Sequence, residues 1–182
     1  MLLGFAHALV AGLLMGFVYS LIASGLSLIF GVMNIVNFAH GEFLMLGMFA
    51  AYWCSILLGL DPLVSIVIAV PIMFLIGVVV YKLIIRRVLK GNRISQILVT
   101  FGLSTFIANL TLLLWSPNYR LAERSLKFAM GNVKLLGIHV GIPEIIASVG
   151  SIVIFAIMYY ITHFTKTGRA IQATAIDPEG AQ

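Results

Sequence analysis

Charge is what this chain lacks most. Only 9% of its 182 residues are Asp, Glu, Lys or Arg, against 62% hydrophobic, and the mean hydropathy is +1.13. Soluble domains carry roughly 25% charged residues, so too few polar side chains are present to cover a water-facing surface. A soluble globular protein is excluded, and the chain is expected to be an all-α integral membrane protein. Cysteine is scarce as well: Cys54 stands alone, which rules out an internal disulfide and leaves the redox compartment open. The opening residues MLLGFAHALV show no positive stretch and no small-residue cleavage site before the apolar run continues, which argues against a cleaved signal peptide. No G-x-x-x-x-G-K-[ST] phosphate loop occurs, and without its amide cradle and lysine the chain is not expected to hydrolyse ATP. A catalytic set, a metal site and a bound cofactor are likewise not expected. An intramembrane serine protease would want a Gly-x-Ser-Gly turn, but residues 22–25 read Ile-Ala-Ser-Gly and lack the first glycine.

Long apolar runs are what the chain has instead. About 20 residues at 1.5 Å each cross roughly 30 Å of hydrocarbon, and five such spans are expected at about 5–30, 41–59, 63–85, 94–115 and 143–163. Leu60-Asp61-Pro62 separates the second from the third, Asp61 as N-cap and Pro62 as the first helical residue. Pro71 is expected to kink the third.

The basic balance, 11 Lys+Arg against 6 Asp+Glu, is a matter of topology. The positive residues gather at the ends of apolar runs rather than on an aromatic-interleaved surface, so no nucleic acid partner is expected. Lys82, Arg86, Arg87, Lys90 and Arg93 share one short connection, which places it in the cytoplasm. Alternation then puts residues 116–142 outside, the tail after His163 inside and the N-terminus outside. Arg120, Arg124, Lys127 and Lys134 in the outer loop weaken that contrast. Within the loop, VKLLGIHV at 133–140 has apolar arms around Leu136-Gly137, the pattern of a small hairpin.

Two features interrupt the apolar runs. On the first span Ala8, Gly12, Gly16, Ser20 and Ser24 recur every four residues, small side chains that let another backbone approach closely. Gln96, Thr100, Ser104 and Ala108, with Thr105 and Asn109 beside them, form a comparable series on the fourth span, either for interhelical packing or for a polar pathway. Between the first two spans, NIVNFAHGEF at 34–43 carries Asn34, Asn37, His40 and Glu42. Backbone that leaves the helix at membrane depth must be buried in protein or face water, and Asn with Gly supplies the turn chemistry for such a break. These four groups either cap the flanking helices, Glu42 favoured by the dipole of the second, or line a solute path.

GLSLIFGVMNIVNFAHGEFLMLG at 25–47 and TKTGRAIQATAIDPEGAQ at 165–182 closely resemble two segments of the permease subunits of branched-chain amino acid ABC importers, the Liv-type family. The likeness covers essentially the whole chain, read as a single transmembrane permease domain over 1–182. It implies a bacterial inner-membrane, multi-pass transport subunit rather than an enzyme, and separate ABC ATPase subunits. A second related permease subunit and an extracytoplasmic substrate-binding protein are implied too, with membrane lipid around the spans. Residues 165–182 would be the cytoplasmic segment that docks on the ATPase, through Thr167, Gly168, Arg169, Ala170, Ala173, Asp177 and Pro178. Gly12, Gly16, Ser20 and Ser24 would pack helices. The sequence stops at Gln182 just after Asp177-Pro178-Glu179 has begun a helix, so an N-terminal portion of a permease is expected. Leu, Ile and Val are the implied cargo. A passive channel or facilitator for a small polar solute is the alternative reading, and the docking segment distinguishes the two.

Overall fold

The computed structural model describes residues 2–89, 91–118, 120, 131–135, 138–166, 168–170 and 172. Five of its helices are long and apolar enough to cross a membrane, each within a few residues of a span expected from the sequence. Their large side chains lie open: Leu113 is 82% exposed, Leu57 74% and Val67 72%. Each such side chain left in water forfeits about 1.5–3 kcal/mol, and lipid removes that penalty. The exposure is that of membrane-spanning helices.

Two compact units divide the chain. In the first, residues 1–34 and 126–182, helix α1 (Leu2–Met33) packs against α6 (Ile142–Phe164), and α1 also meets strand β2. Strands β1 (Asn132–Leu135) and β2 (Ile138–Gly141) pair antiparallel, with Asn132 opposite Gly141 and Leu135 opposite Ile138. This is the small hairpin expected around residues 136–137. The Ile142 N–H donates to Gly131 O at 3.1 Å and couples the hairpin to the start of α6. Pro143 in the first turn needs no helical donor, and Glu144 beside it complements the dipole. Ser148 and Ser151, one turn apart, are the buried residues of α6, small enough for close helix approach.

The second unit, residues 35–125, holds α2 (His40–Leu58), α3 (Pro62–Val80), a π-helical turn (Tyr81–Ile85), α4 (Arg86–Val88) and α5 (Arg93–Trp115). The α2–α3 turn is fixed by local hydrogen bonds. Gly59 ends α2 at φ 65°, Asp61 Oδ1 accepts from Leu63 N–H at 2.9 Å, and Pro62 opens α3, as the sequence indicated. The buried hydroxyls of Ser55 and Ser65 donate to Leu60 O and Asp61 O at 2.7 and 3.0 Å. Helix α3 continues through Pro71, and its bonding pattern widens only at Tyr81. Asn92 caps α5, accepting from Ser95 N–H at 2.8 Å. One face of α5 turns inward: Leu103 and Ile107 are buried with Ala39, against Phe43, Leu46 and Ile84. Tyr52, Trp53 and Trp115 lie towards the C-terminal ends of α2 and α5, whereas Lys82, Arg86, Arg87 and Arg93 lie at the opposite ends. Aromatic and basic residues mark the two rims of the apolar zone.

Candidate functional site

The break after α1 is built from its own side chains and one distant hydroxyl. Asn34 takes a left-handed conformation, φ 53°, and its N–H donates to Phe30 O at 2.8 Å, which closes the last turn of α1. Asparagine is among the few residues that adopt this conformation cheaply. Asn37 opens the other side. Its Oδ1 accepts from Ala39 N–H at 3.1 Å and its carbonyl accepts from His40 N–H at 3.2 Å, an Asx turn leading into α2. Glu42, half-buried, occupies the first turn of α2, where the helix dipole favours a carboxylate. His40 is half-buried as the first residue of that helix. Asn34 thus closes α1 through its backbone and Asn37 makes the turn before α2, whose own N-cap, Ala39, makes no side-chain capping bond.

Between Asn34 and Asn37 the backbone needs a partner from elsewhere. Thr100, 1% exposed on α5, lies with Oγ1 at 3.2 Å from Val36 O and 3.1 Å from the carbonyls of Gln96 and Ile97. One hydroxyl proton serves three acceptors, and the first of them ties the break to α5. Ile35 and Ala39, both buried, flank that carbonyl. The sequence placed Thr100 in a small-residue series but gave no sign of this bond. The buried line on α5 runs Thr100, Leu103, Ile107, Thr111, beside the expected Gln96–Thr100–Ser104–Ala108 series rather than along it. Ser104 and Ala108 are half-buried.

The α1 small residues are placed differently. Ala8, Gly12 and Ser20 are exposed, and Gly16 and Ser24 half-buried. A Cβ added at Gly12 or Gly16 would meet nothing within 4 Å, so no backbone approaches closely there among the described residues. Ser20 and Ser24 donate within their own helix, to Gly16 O at 2.8 Å and Leu21 O at 2.7 Å. Ser148 and Ser151 of α6 are buried small residues that sequence reasoning passed over; the signal was their three-residue spacing inside an apolar run.

After α6 the chain turns sharply. Thr165 ends the helix, donating from Oγ1 to Ile161 O at 2.6 Å and accepting from Gly168 N–H at 3.0 Å, while Arg169 N–H donates to Thr165 O at 3.1 Å. Gly168 is buried against the carbonyls of Ile161 and Thr162, where any Cβ would collide with backbone. Glycine is required by space here. Arg169 and Ala170 are exposed. Thr167, Ala173, Asp177 and Pro178 lie outside the described residues.

Comparison with known proteins follows the same lines. A family model described as "Branched-chain amino acid transport system / permease component" matches residues 8–182. The high-affinity branched-chain amino acid transport system permease protein BraD of Pseudomonas aeruginosa is 29% identical over 190 residues, 95% of this chain and 60% of that protein. The corresponding protein LivH is 26% identical over 113 residues in Escherichia coli K12 and in Salmonella typhimurium, 58% of this chain and 37% of each relative. The chain thus spans less than two thirds of the length of these relatives. No solved structure matches.

Proposed function

Because the chain belongs to the branched-chain amino acid transport system permease family, we propose that it is a membrane subunit of an ATP-driven importer of branched-chain amino acids. The observation that carries this reading is the family match over residues 8–182, on a chain whose described residues form five helices long and apolar enough to cross a membrane. Its spans form part of the solute path, and ATP is hydrolysed by separate ABC ATPase subunits. A second, related permease subunit completes the membrane part, and an extracytoplasmic binding protein delivers the amino acid. The fold suits such work. Alternating access in other transporters rocks helix groups around a fixed site next to broken helices, and here a break bounded by Asn34 and Asn37 is tied to α5 through Thr100. His40 and Glu42 then stand at the start of α2 beside that path. On the cytoplasmic side, the elbow at Thr165–Gly168 sets the direction in which Arg169, Ala170 and the following residues reach the ATPase. The α1 series around Gly12 and Gly16, where an added Cβ would meet nothing within 4 Å, meets the second permease subunit.

The test is uptake of labelled L-leucine into proteoliposomes that hold the permease with its ATPase, with the binding protein added outside. Uptake should require both ATP inside and the binding protein. Leucine flux that needs neither would overturn this reading in favour of a passive channel.

A further inference from the structure

At the aromatic rim of the second unit a cation is held over a cavity. Arg120 donates from Nη2 to Trp115 O at 2.8 Å, and its Cζ stands 5.5 Å from the Trp53 ring centroid and 5.9 Å from that of Tyr52. Trp115 itself stacks on Phe49, ring centroids 4.6 Å apart and planes 16° from parallel. Two aromatic faces and a carbonyl thus hold the guanidinium, which has five N–H donors in a planar fork, one of them bonded to Trp115 O among the described residues. The cavity below is about 310 Å³, lined by Met45, Met48, Phe49, Tyr52, Pro117, Asn118 and Arg120. Binding pockets for small molecules begin at about this size and share this chemistry, mostly apolar walls with a few polar groups.

We propose that this cavity is a docking subsite for a branched-chain amino acid, with the α-carboxylate on the Arg120 fork and the aliphatic side chain among Met45, Met48 and Phe49. The inference rests on the importer reading and names a site within it. Charge complementarity selects the occupant: among its described lining residues the cavity offers one cation and no carboxylate, so it favours a ligand with an anionic end and an apolar end. A planar guanidinium binds a carboxylate bidentately. Two methionines, unbranched and adaptable, accommodate more than one branching pattern. The positive residues place this rim on the extracytoplasmic side, where a binding protein would release its amino acid.

The test uses the assembled permease–ATPase complex, without binding protein, and labelled L-leucine as probe, with leucinamide as the carboxylate-free competitor. Arg120→Gln and Met48→Trp, which removes the cation and fills the cavity respectively, should each weaken leucine binding at least 10-fold. Arg120→Lys should restore part of it. Leucinamide should compete at least 10-fold less well than leucine on the unmodified complex. Unchanged leucine binding in both variants, or equal competition by leucinamide, would overturn the proposal; the competition decides even if a variant fails to assemble. Loss of binding-protein docking with leucine binding intact would also overturn it, and assign the surface to that protein. An unmodified complex that neither binds nor imports any branched-chain amino acid would instead sink the importer reading.

Discussion

Replacing Gly168 by alanine adds one methyl group at the place where the chain leaves α6, and the structure says what that methyl meets. It would collide with the carbonyls of Ile161 and Thr162. Both neighbours are backbone, so no side chain can swing aside, and the elbow itself has to open. Opening it breaks the Gly168 N–H to Thr165 Oγ1 bond at 3.0 Å and strains the Arg169 N–H to Thr165 O bond at 3.1 Å. Each is worth about 0.5–1.5 kcal/mol net, and overpacking at a tight site costs about 1–3 kcal/mol. A shift of about 1–3 kcal/mol lowers the population of the native elbow by about 5- to 150-fold. The spans themselves are untouched, because Gly168 lies beyond the last helical residue of α6, Phe164. Gly168→Ala should therefore insert normally in the membrane and lose ATP-dependent leucine uptake. Co-purification of the ATPase should fall in parallel, measured on detergent-solubilised complexes against the unmodified permease. Should Gly168→Ala hold the ATPase with unchanged affinity and import leucine at the normal rate, the elbow does not set the docking geometry. The segment that meets the ATPase would then have to be sought elsewhere.

Three further outcomes follow from the break and from α1. Thr100→Val keeps the shape of the side chain but removes the hydroxyl that reaches Val36 O. The loss of about 1 kcal/mol should lower the melting temperature in detergent by about 2–4 °C and reduce uptake; an unchanged melting curve would show that the bond carries no weight. Asn37→Leu removes the acceptor for Ala39 N–H at about 0.5–1.5 kcal/mol and should reduce uptake while insertion stays intact, whereas normal uptake would limit Asn37 to a turn residue. Gly16→Leu meets nothing within 4 Å of the Cβ position in the chain itself, so insertion should be normal. Assembly with the second permease subunit, read on native gels, should fall by overpacking, and an undiminished yield would remove this face from the interface.

The sequence made the spans legible because lipid imposes both a length and a composition, and nothing local competes with that signal. Helix punctuation was legible for a related reason. Asp61 and Asn37 each accept from a backbone N–H two residues on, and Asn34 donates its own N–H to Phe30 O, so the cause and its effect lie in one short stretch. The Val133–Val140 hairpin arms were visible on the same terms. The tie from Thr100 to Val36 O was not, since the two residues are 64 positions apart and a threonine in an apolar helix has equally good partners in its own preceding turn. Gly168 was visible as a small residue in the segment expected to dock on the ATPase, but its crowding by Ile161 and Thr162 carbonyls depends on the direction in which the chain folds back.

The α1 series shows how a correct count of residues can mislead about a face. Successive helical residues are about 100° apart, so a strict four-residue repeat advances about 40° at each step. From Ala8 to Ser24 the series sweeps about 160° around the helix. It is a broad arc rather than a stripe, and along it Ala8, Gly12 and Ser20 are exposed while Gly16 and Ser24 are half-buried. Among the half-buried positions of α1, the line Ala6, Val10, Leu14, Val18, Leu21 and Gly25 includes one three-residue step, and that step turns the line back by about 60°. A face that keeps its direction along 32 residues must mix threes with fours. The α1 series is therefore not one face, and within it Gly12 and Gly16 are positions where an added Cβ would meet nothing within 4 Å among the described residues.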